Sequence, residues 1–457
     1  MSSETAGHGR LFVANRGEIA VRVIRAANAI GMETVLGVSA ADRDSPAARE
    51  ATRTVVLGPA AARDSYLNAN LVVHAAVATG CTALHPGYGF LSERPELAEL
   101  CTEHGIAFIG PTAASIRAVG DKLSAKRLAE SAGVPLTRGS DKVRDVDHAL
   151  SIAESIGYPV ITKASAGGGG RGMIVARNPA ELAEAFVRAA ATAREAFGDD
   201  TLYIEAYVER ARHLEVQVMG DGNGRVVHFG ERDCSVQRRY QKMIEEAPAS
   251  ILDDDTRARL RSAAVDLLTS ISYRNAGTVE FLYDADRRSF SFMEVNARIQ
   301  VEHPVSEEIS HTDLIRMQLE IGTGRKLLPS QSEIATSGHA IEVRILAEDP
   351  ARDFAPSPGR ITRWSPPFGP GVRVDSGVGE GSLVPPFYDS MIAKLIILGS
   401  TRDEAIDRLL DALSSFVVEG IATNIPLLKA IVSHDDFRRN VVSTRWLETT
   451  LLPTFKL

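Results

Sequence analysis

Short apolar runs alternate with amphipathic stretches through the first 110 residues. LFVAN (11–15) and METVLGVSA (32–40) are apolar runs, which predict buried strands. RGEIAVRVIRAANAIG (16–31) has apolar residues at helical spacing and ends on a glycine, which predicts a helix. The same alternation continues through LVVHAAVATG, CTALHP, PELAELCTEHG and IAFIG. Strands that alternate with helices predict a doubly wound, parallel α/β sheet.

The pattern changes after Gly120 and again near residue 330. DKLSAKRLAESAG and the alanine-rich PAELAEAFVRAAATAREAFG predict helices, and between them GYPVITKAS and GMIVARN predict strands. Three segments, 201–208, 212–233 and 278–303, are rich in strand formers, with turn signals at DGNG and DADRR. After residue 330 we expect mixed strands and one helix, RDEAIDRLLDALSSF. The chain is therefore expected to fold as an α/β (α+β) protein of three domains.

Composition excludes several functional classes. The 457 residues are 44% hydrophobic and 24% charged, with 51 Lys+Arg against 59 Asp+Glu and a net charge of −8. Because basic residues are not clustered with aromatics, we expect no nucleic-acid partner. No apolar run reaches the length of a membrane span and no CxxC pair occurs, so we expect a cytoplasmic protein. NRGEIA lacks G-x-G-x-x-G, so the first domain is not predicted to bind a dinucleotide.

The most unusual segment is ITKASAGGGGRGMIVA (161–176), a glycine tract between two predicted strands. Lys163 precedes the glycines, whereas the Walker A lysine follows them and opens a helix. Protein kinases also cover ATP with a glycine-rich hairpin, but neither HRD nor DFG occurs in this chain. Glycines let backbone N–H groups approach phosphate oxygens closely. The segment predicts a phosphate-covering hairpin, and a simple surface turn is the alternative.

A second cluster of polar residues lies in GTVEFLYD (277–284) and SFMEVNARIQVEHP (291–304). Strand alternation places Glu280 on the face opposite its apolar neighbours, and it places Glu294, Asn296 and Arg298 together on one face. Carboxylates with an amide oxygen suit Mg²⁺ or Mn²⁺, and the arginine suits a small anion. The alternative is a solvated edge strand.

A third cluster is basic and lies around predicted strands. Its members are His213, Arg232, Arg238, Arg239 and Lys242. Burial of some of these side chains would create a site for phosphate or carbonate. A surface basic patch explains the same residues equally well.

Six segments together resemble the biotin carboxylases of the ATP-grasp superfamily. They are HPGYGFLSE, GDK, KASAGGGGRGM, ERDCSVQRR, EVNARIQVEHPV and EVRILAEDP, and the resemblance runs from about Leu11 to Trp446. It implies an N-terminal domain (1–120), an ATP-grasp domain (121–329) with a glycine-rich lid at about 138–210, and a C-terminal domain (330–457). It also implies that bicarbonate is activated by ATP as carboxyphosphate and that the carboxyl group passes to biotin on a carrier protein.

The resemblance also implies which residues bind the nucleotide and its metal ions. The expected ATP-binding residues are Lys122, Lys163, Gly169, Gly170, Glu205, Ala206, Tyr207, Val208, His213, Gln237, Tyr240 and Glu280. Glu280, Glu294 and Asn296 are expected to hold two Mg²⁺ or Mn²⁺ ions.

The remaining roles implied by the resemblance concern bicarbonate and biotin. Lys242, Arg298, Gln300 and the backbone of Val301 are expected to bind bicarbonate. Glu302 is expected to be the general base, and Arg344 is expected to stabilise the biotin enolate, with Tyr88 near the biotin ring. Arg298, Glu302, Lys242 and Arg344 would thus be the catalytic residues.

The resemblance further implies three partners, namely a second copy of the chain, a biotin carboxyl carrier protein and a carboxyltransferase. Acetyl-CoA, in fatty acid synthesis, is the expected final acceptor. Two positions depart from the family pattern: Tyr240 stands where histidine is usual, and Ala206 stands where lysine is common. They leave open a nucleotide-binding regulatory protein of weak activity. Another ATP-grasp carboxylate–amine ligase is a further alternative.

Overall fold

The computed structural model describes residues 9–165 and 173–456. Its N-terminal part is a parallel sheet, as predicted, and the sheet has five strands, of which the one at residues 53–58 was not predicted. In spatial order the strands are β3 (Arg53–Gly58), β2 (Glu33–Ser39), β1 (Arg10–Val13), β4 (Ala83–His85) and β5 (Ala107–Phe108). The helices of this part are α1 (Gly17–Ala29), α2 (Pro46–Glu50), α3 (Ala69–Ala78), α4 (Pro95–Glu103) and α5 (Ala113–Gly120).

Strand β1 shows why helices cover both faces of this sheet. Leu11 and Val13 pack in one hydrophobic cluster with Ile19 of α1. Phe12 points to the other face, where it joins the cluster that contains Leu97 of α4. Successive strand residues face opposite sides, so a continuous apolar run requires cover on both faces.

A small antiparallel sheet follows, flanked by helices. Its strands, in spatial order, are β7 (Ile174–Ala176), β6 (Val160–Ala164) and β8 (Leu202–Ala206). The helices of this region are α6 (Lys122–Ser131), α7 (Val146–Ile156) and α8 (Pro179–Phe197). The predicted hairpin strands are therefore present, but Gly169 and Gly170 lie outside the described residues.

The largest element is an eight-stranded antiparallel sheet. In spatial order its strands are β13 (Ser289–Asn296), β12 (Arg274–Asp284), β9 (Ala211–Asp221), β10 (Val226–Arg238), β11 (Gln241–Ala247), β14 (His339–Leu346), β21 (Met391–Gly399) and β19 (Val372–Ser376). The DGNG and DADRR segments form the β9–β10 and β12–β13 turns, as predicted. Because β14, β21 and β19 extend this sheet, the chain after residue 330 shares one sheet with the chain before it.

The remaining elements lie around this large sheet. Three helices of the middle part are α9 (Asp254–Thr269), α10 (His303–Ser310) and α11 (Leu314–Gly322). Short strand pairs of the last part are β15 (Glu348–Asp349) with β16 (Ala355–Pro356), β17 (Gly359–Arg360) with β20 (Leu383–Val384), and β18 (Arg363–Ser365) with β22 (Val417–Glu419). None of the helices among the described residues is long and apolar enough to cross a bilayer.

The expectation of one helix after residue 330 is wrong. The described chain contains α12 (Arg402–Ser415), α13 (Ile425–Ser433) and α14 (Asp435–Arg438) in this region. Helix α13, IPLLKAIVS, is apolar almost throughout and buries Leu427, Leu428 and Ile431 in the C-terminal core. A short helix that is apolar on most sides lacks the polar face that gives a helical period, so the pattern cannot identify it.

Close backbone packing at Gly220 gives a test of the sheet. A Cβ atom there would lie 2.0 Å from the backbone oxygen of Tyr273. We expect Gly220→Ala to lower the free energy of unfolding by about 1–3 kcal/mol, as overpacking does. The measurement is the thermal midpoint by calorimetry. Gly120→Ala is the control, because a Cβ atom there would have no heavy atom within 4 Å outside its own helix and chain neighbours. An equal loss of stability in both variants would contradict the close packing at Gly220.

Candidate active site

A cavity of about 670 Å³ lies between the N-terminal part, the small sheet and the large sheet. Most residues that the sequence singled out line it. They are Tyr88, Lys122, Lys163, His213, Gln237, Tyr240, Lys242, Glu280, Glu294, Asn296, Arg298, Gln300, Val301, Glu302 and Arg344. The segment Glu205–Val208 does not line its described wall.

Strand register places four charged residues in one row across the sheet. Arg232 of β10 is paired with Glu215 of β9, Glu215 with Glu280 of β12, and Glu280 with Glu294 of β13. Residues directly opposite on neighbouring strands project from the same face, with Cβ atoms about 4.5–5.5 Å apart. Glu215, Glu280 and Glu294 therefore form a carboxylate row along the cavity wall, with Arg232 behind one end.

Lys242 of β11 neutralises much of this negative charge. Its Nζ donates hydrogen bonds to Glu215 Oε2 at 2.6 Å, to Glu280 Oε1 at 3.0 Å and to Glu302 Oε1 at 2.6 Å. Burial alone would lower the pKa of Lys242, but the three carboxylates outweigh burial and raise the pKa well above its ordinary value. Lys242 is therefore a fixed positive charge at the cavity floor.

His213 joins the carboxylate row to Gln237 of β10. Its Nε2 lies 2.9 Å from Glu280 Oε2, and its Nδ1 lies 2.9 Å from the amide nitrogen of Gln237. Burial opposes a charge on His213, yet Glu280 outweighs it and raises the pKa. Burial likewise opposes ionisation of Glu280, and Lys242 and His213 outweigh it and lower the pKa of the carboxyl group.

Arg298, just after β13, is held from three sides. Its guanidinium donates to Glu93 Oε2 at 2.9 Å, Gln300 Oε1 at 2.7 Å and Asn296 Oδ1 at 2.9 Å. Gln300 in turn donates to Glu280 Oε1 at 3.2 Å. This network fixes a planar cation beside the carboxylate row, where a bidentate anion site would lie.

Glu302 stands at the start of α10 between two cations. Lys242 donates to its Oε1, and Arg344 Nη2 donates to its Oε2 at 2.9 Å. Burial would raise the pKa of this fully buried carboxyl group, but attraction first to Lys242 and then to Arg344 outweighs it, and the pKa is lowered. Glu302 is thus an ionised carboxylate that a bound substrate can approach.

Two lysines, Lys122 and Lys163, line another part of the cavity wall. Lys163 Nζ donates to Glu205 Oε2 at 2.6 Å, and Lys126 Nζ donates to Glu205 Oε1 at 2.6 Å. Burial opposes the ionisation of Glu205, but Lys163 and Lys126 outweigh it and lower its pKa. Lys122 Nζ lies 4.0 Å from Glu294 Oε2. Glu205 thus positions Lys163 from behind the cavity wall.

Tyr88 lies on the N-terminal side of the cavity. Its hydroxyl donates to Glu18, whose other contact is Lys394 Nζ at 3.1 Å. Burial and then the charge of Glu18 raise the pKa of Tyr88 well above its ordinary value. Tyr88 therefore presents a neutral ring to the cavity.

The predicted basic cluster is dispersed. Of its five members only His213 and Lys242 line the cavity. Arg232 is fully buried on Glu215, with Nε 2.5 Å from Oε1. Arg238 is paired with Glu348 at 2.9 Å, and exposed Arg239 lies 3.4 Å from Asp353. Arg238 lies on the face opposite Lys242, because Lys242 is paired with the neighbouring Gln237. Arg232 shares the face of the carboxylate row but is buried against Glu215.

Sequence reasoning missed Glu215, Glu93 and Lys126. Glu215 had a usable signal, because it lies two residues after His213 in an alternating strand and so shares its face. The sequence contains no comparable signal for Glu93 and Lys126, because each contacts the site residues across a long sequence separation.

The carboxylate row fits a divalent cation. The ligand atoms of His213, Glu215 and Glu280 lie within 4.8 Å of one another. Burial and then the charge of Glu280 raise the pKa of Glu294, whose contact with Lys122 is long. Two facing carboxylates that repel each other are stabilised by Mg²⁺ or Mn²⁺, which prefer oxygen ligands. Asn296 Oδ1 accepts one hydrogen bond from Arg298 and has a second lone pair that can serve as an amide-oxygen ligand.

Three family models match nearly the whole chain. They are the biotin carboxylase N-terminal domain (residues 8–116), the carbamoyl-phosphate synthase L chain ATP-binding domain (residues 121–329) and the biotin carboxylase C-terminal domain (residues 342–449).

Curated relatives and solved structures agree. Biotin carboxylase 1 of Bacillus subtilis is 48% identical over 441 residues, which are 96% of this chain and 98% of that protein. A pyruvate carboxylase subunit of Methanothermobacter thermautotrophicus is 49% identical over 440 residues, 96% of this chain and 89% of that protein. One similar solved structure is the biotin carboxylase domain dimer of Hydrogenobacter thermophilus 2-oxoglutarate carboxylase, in complex with MgADP, ADP and bicarbonate. It superposes on this chain with a TM-score of 0.92 at 44% identity, and the match covers 96% of this chain and 97% of that chain.

The buried charges predict how stability depends on pH. Burial would raise the pKa of Glu215, but Arg232 and Lys242 outweigh it and hold the pKa at about 2. An unfolded glutamate titrates near about 4.3. The stability that Glu215 contributes is thus present above about pH 4.3 and is lost as the pH falls toward 2.

We therefore expect Glu215→Gln to lower the thermal midpoint strongly at pH 7, and we expect the difference from wild type to shrink below about pH 4. Calorimetry across this pH range measures it. Glu184→Gln, on the exposed side of α8, is the matched control and should leave the midpoint unchanged. A difference for Glu215→Gln that stays constant with pH would contradict the proposed linkage.

Proposed function

The chain belongs to the biotin carboxylase family of ATP-dependent ligases, and from this premise we propose how its residues act. We propose that it carboxylates biotin on a separate carrier protein, using ATP, bicarbonate and Mg²⁺ or Mn²⁺. The observation that carries the proposal is the position of Lys242. Its one ammonium group contacts both Glu280, in the carboxylate row, and Glu302, beside Arg344. A metal–phosphate site and a proton-accepting site therefore meet within one cavity.

The nucleotide would lie against the small sheet. Lys122 and Lys163 would contact its phosphates, and His213 and Gln237 would line the same pocket. Gly169 and Gly170 are proposed to cover the phosphates, and the segment Glu205–Val208 is proposed as the adenine-side hinge. Tyr240 is half exposed at the cavity edge and supplies a neutral hydroxyl where the resemblance to the family leads us to expect histidine.

The acidic row would hold the metal ions. Glu280, Glu294 and Asn296 are proposed as ligands, and the bound ions would neutralise charge on the transferring phosphoryl group. Lys242 and His213 now satisfy Glu280, so they would release it when the metal and nucleotide bind.

Bicarbonate is proposed to bind between Lys242, Arg298, Gln300 and the backbone of Val301. Glu302 would remove its proton as its oxygen attacks the γ-phosphorus, giving carboxyphosphate and ADP. The bound anion would compete with Glu302 for the charge of Lys242. That competition raises the pKa of Glu302 from its lowered value and makes it a more effective base.

Carboxyphosphate would then break down to CO₂ and phosphate within the cavity. Phosphate would take the ureido proton of biotin, and the biotin anion would attack CO₂ to give carboxybiotin. Arg344 is proposed to stabilise that anion, because a guanidinium stays charged at any working pH. Tyr88 would contact the biotin ring.

We propose domains at 1–120, 121–329 and 330–457, with a lid at about 138–210 that contains the small sheet. We propose a carrier protein, a carboxyltransferase and a second copy of the chain as partners. The dimeric structure of the related Hydrogenobacter domain supports the last of these. Three buried free thiols support a cytoplasmic location.

Acetyl-CoA is our proposed final acceptor. The relatives' names include pyruvate and 2-oxoglutarate carboxylases, so very similar chains serve different acceptors. The acceptor is therefore set by the transferase, and mass spectrometry of proteins that co-purify with the chain would identify it.

The direct test of function uses the purified chain. We expect ATP hydrolysis that requires bicarbonate and is stimulated by free biotin, measured by phosphate release. Tight ATP binding without turnover would favour the regulatory alternative. Turnover that depends on an amine acceptor and ignores biotin would instead favour another ATP-grasp ligase.

The role of Glu302 has its own test. We expect Glu302→Gln to lower bicarbonate-dependent ATP hydrolysis by about 10²–10⁴-fold, the usual contribution of a general base. Nucleotide binding, measured by calorimetry, should persist because the cations that Glu302 contacts are Lys242 and Arg344, and not Lys122 or Lys163. Glu130→Gln on the exposed face of α6 is the control. Retention of wild-type turnover in Glu302→Gln would exclude this base.

A further inference from the structure

Two buried glutamates lie behind Arg344 and have no part in the mechanism above. Glu245 of β11 and Glu342 of β14 are paired directly across the antiparallel ladder. Both are fully buried. Glu342 and Arg344 are two residues apart on β14, so all three side chains project from the same face of the sheet.

The two carboxyl groups have different partners. Arg344 Nε donates to Glu245 Oε1 at 2.7 Å, while Arg344 Nη2 donates to Glu302. Among the described residues, neither oxygen of Glu342 has a hydrogen-bond partner, and Glu245 Oε2 has none. Lys394 is a neighbouring cation, but its Nζ donates to the Val301 carbonyl at 2.8 Å and lies 3.1 Å from Glu18.

Two adjacent negative charges are unfavourable in this position. Like charges directly opposite on neighbouring strands destabilise a sheet, and an unpaired buried charge is strongly destabilising. Glu245 has Arg344 to offset its charge, whereas Glu342 has no hydrogen-bonded cation among the described residues. A proton on Glu342 removes the repulsion at the smallest cost.

We propose that Glu245 is a positioning residue for Arg344 and that Glu342 stays protonated. The Arg344 guanidinium is then held between two carboxylates, those of Glu245 and Glu302. Glu245 then holds it from behind and Glu302 holds it from the cavity side. Without Glu245, Arg344 would be drawn wholly onto the proposed base, away from the proposed biotin anion. The inference rests on the proposed function, because it concerns the residue proposed to face biotin.

The pKa directions agree with this arrangement. Burial, opposed by Lys394 and reinforced by Glu245, raises the pKa of Glu342 well above its ordinary value. Burial, opposed by Arg344 and reinforced by Glu302, raises the pKa of Glu245 to about 7. The charged or titratable groups around the pair are Lys242, Cys234, Glu302, Arg344, Lys394 and Tyr88. Glu245 is therefore ionised above about pH 7 and loses its charge as the pH falls through that value.

The test compares the same substitution at the two paired positions. We expect Glu245→Gln to lower the kcat of biotin carboxylation by at least about tenfold, since it removes a charge-assisted hydrogen bond. The KM for ATP should not change. Glu342→Gln replaces a neutral acid with a neutral amide, so its kcat should stay within about twofold of wild type. Equal losses in both variants, or a loss in Glu342→Gln alone, would overturn the proposal.

A pH profile separates positioning from general damage. In the wild type, the ratio of biotin-dependent turnover to bicarbonate-dependent ATP hydrolysis without biotin should fall as the pH drops through about 7. In Glu245→Gln this ratio should be low and independent of pH. A wild-type ratio that does not change with pH through 7 would contradict the role of Glu245. This wild-type measurement remains informative even if Glu245→Gln fails to fold.

The proton on Glu342 can be observed without turnover. Infrared difference spectra at pH 8 should show a carboxylic-acid C=O band in wild type that is missing in Glu342→Gln. No such difference would overturn the protonated state. If wild type shows the band but no biotin stimulation, the buried pair stands and the proposed function fails, so the two failures are distinguishable.

Discussion

The site depends on one buried ammonium group shared among three buried carboxylates. Lys242 contacts Glu215, Glu280 and Glu302, and each of these carboxylates has at least one further cationic or polar neighbour. Buried charges persist only when they are paired and hydrogen-bonded. The arrangement therefore places carboxylates that suit metal ions and cations that suit an anion within one cavity, with the Lys242 ammonium group shared between them.

Register of the large sheet makes this possible. The row Arg232–Glu215–Glu280–Glu294 crosses four strands, and β11 and β14 add Lys242 and Arg344 beyond it. A shift of one residue in any of these strands would move its charged side chain to the opposite face. The apolar residues between them, such as Phe281, occupy that opposite face in the core and so fix the register. The packing of the core therefore also fixes the positions of the charged side chains in the site.

Contacts from the N-terminal part complete the cavity. Glu93 holds Arg298, and Glu18 receives hydrogen bonds or charge from both Tyr88 and Lys394. These polar links tie the parallel sheet to the large sheet at the point where bicarbonate and biotin are proposed to meet. The two parts also share a hydrophobic cluster that contains Leu11 and Ile19 on one side and Phe229 and Ile299 on the other. Apolar packing and these polar links together set their relative position.

The sequence by itself predicted the parallel sheet of the first part and the two strands around the glycines, because strand and helix periods are local. Its motifs, through the family resemblance they carry, also named many of the side chains that line the cavity. It also placed Glu280 and Glu294 on polar faces, since alternation is local. It could not determine that Arg238 turns away from Lys242, that Arg232 is buried against Glu215, that Glu93 and Lys126 contact the site, or that Glu245 faces Glu342. Those facts depend on which strands become neighbours and in which register.

Helix α13 was not predicted for a different reason. It is buried on most sides, so it has no polar face that would reveal a helical period. Only the tertiary structure decides such pairings, because the energy of a buried charge depends on neighbours that are distant in sequence.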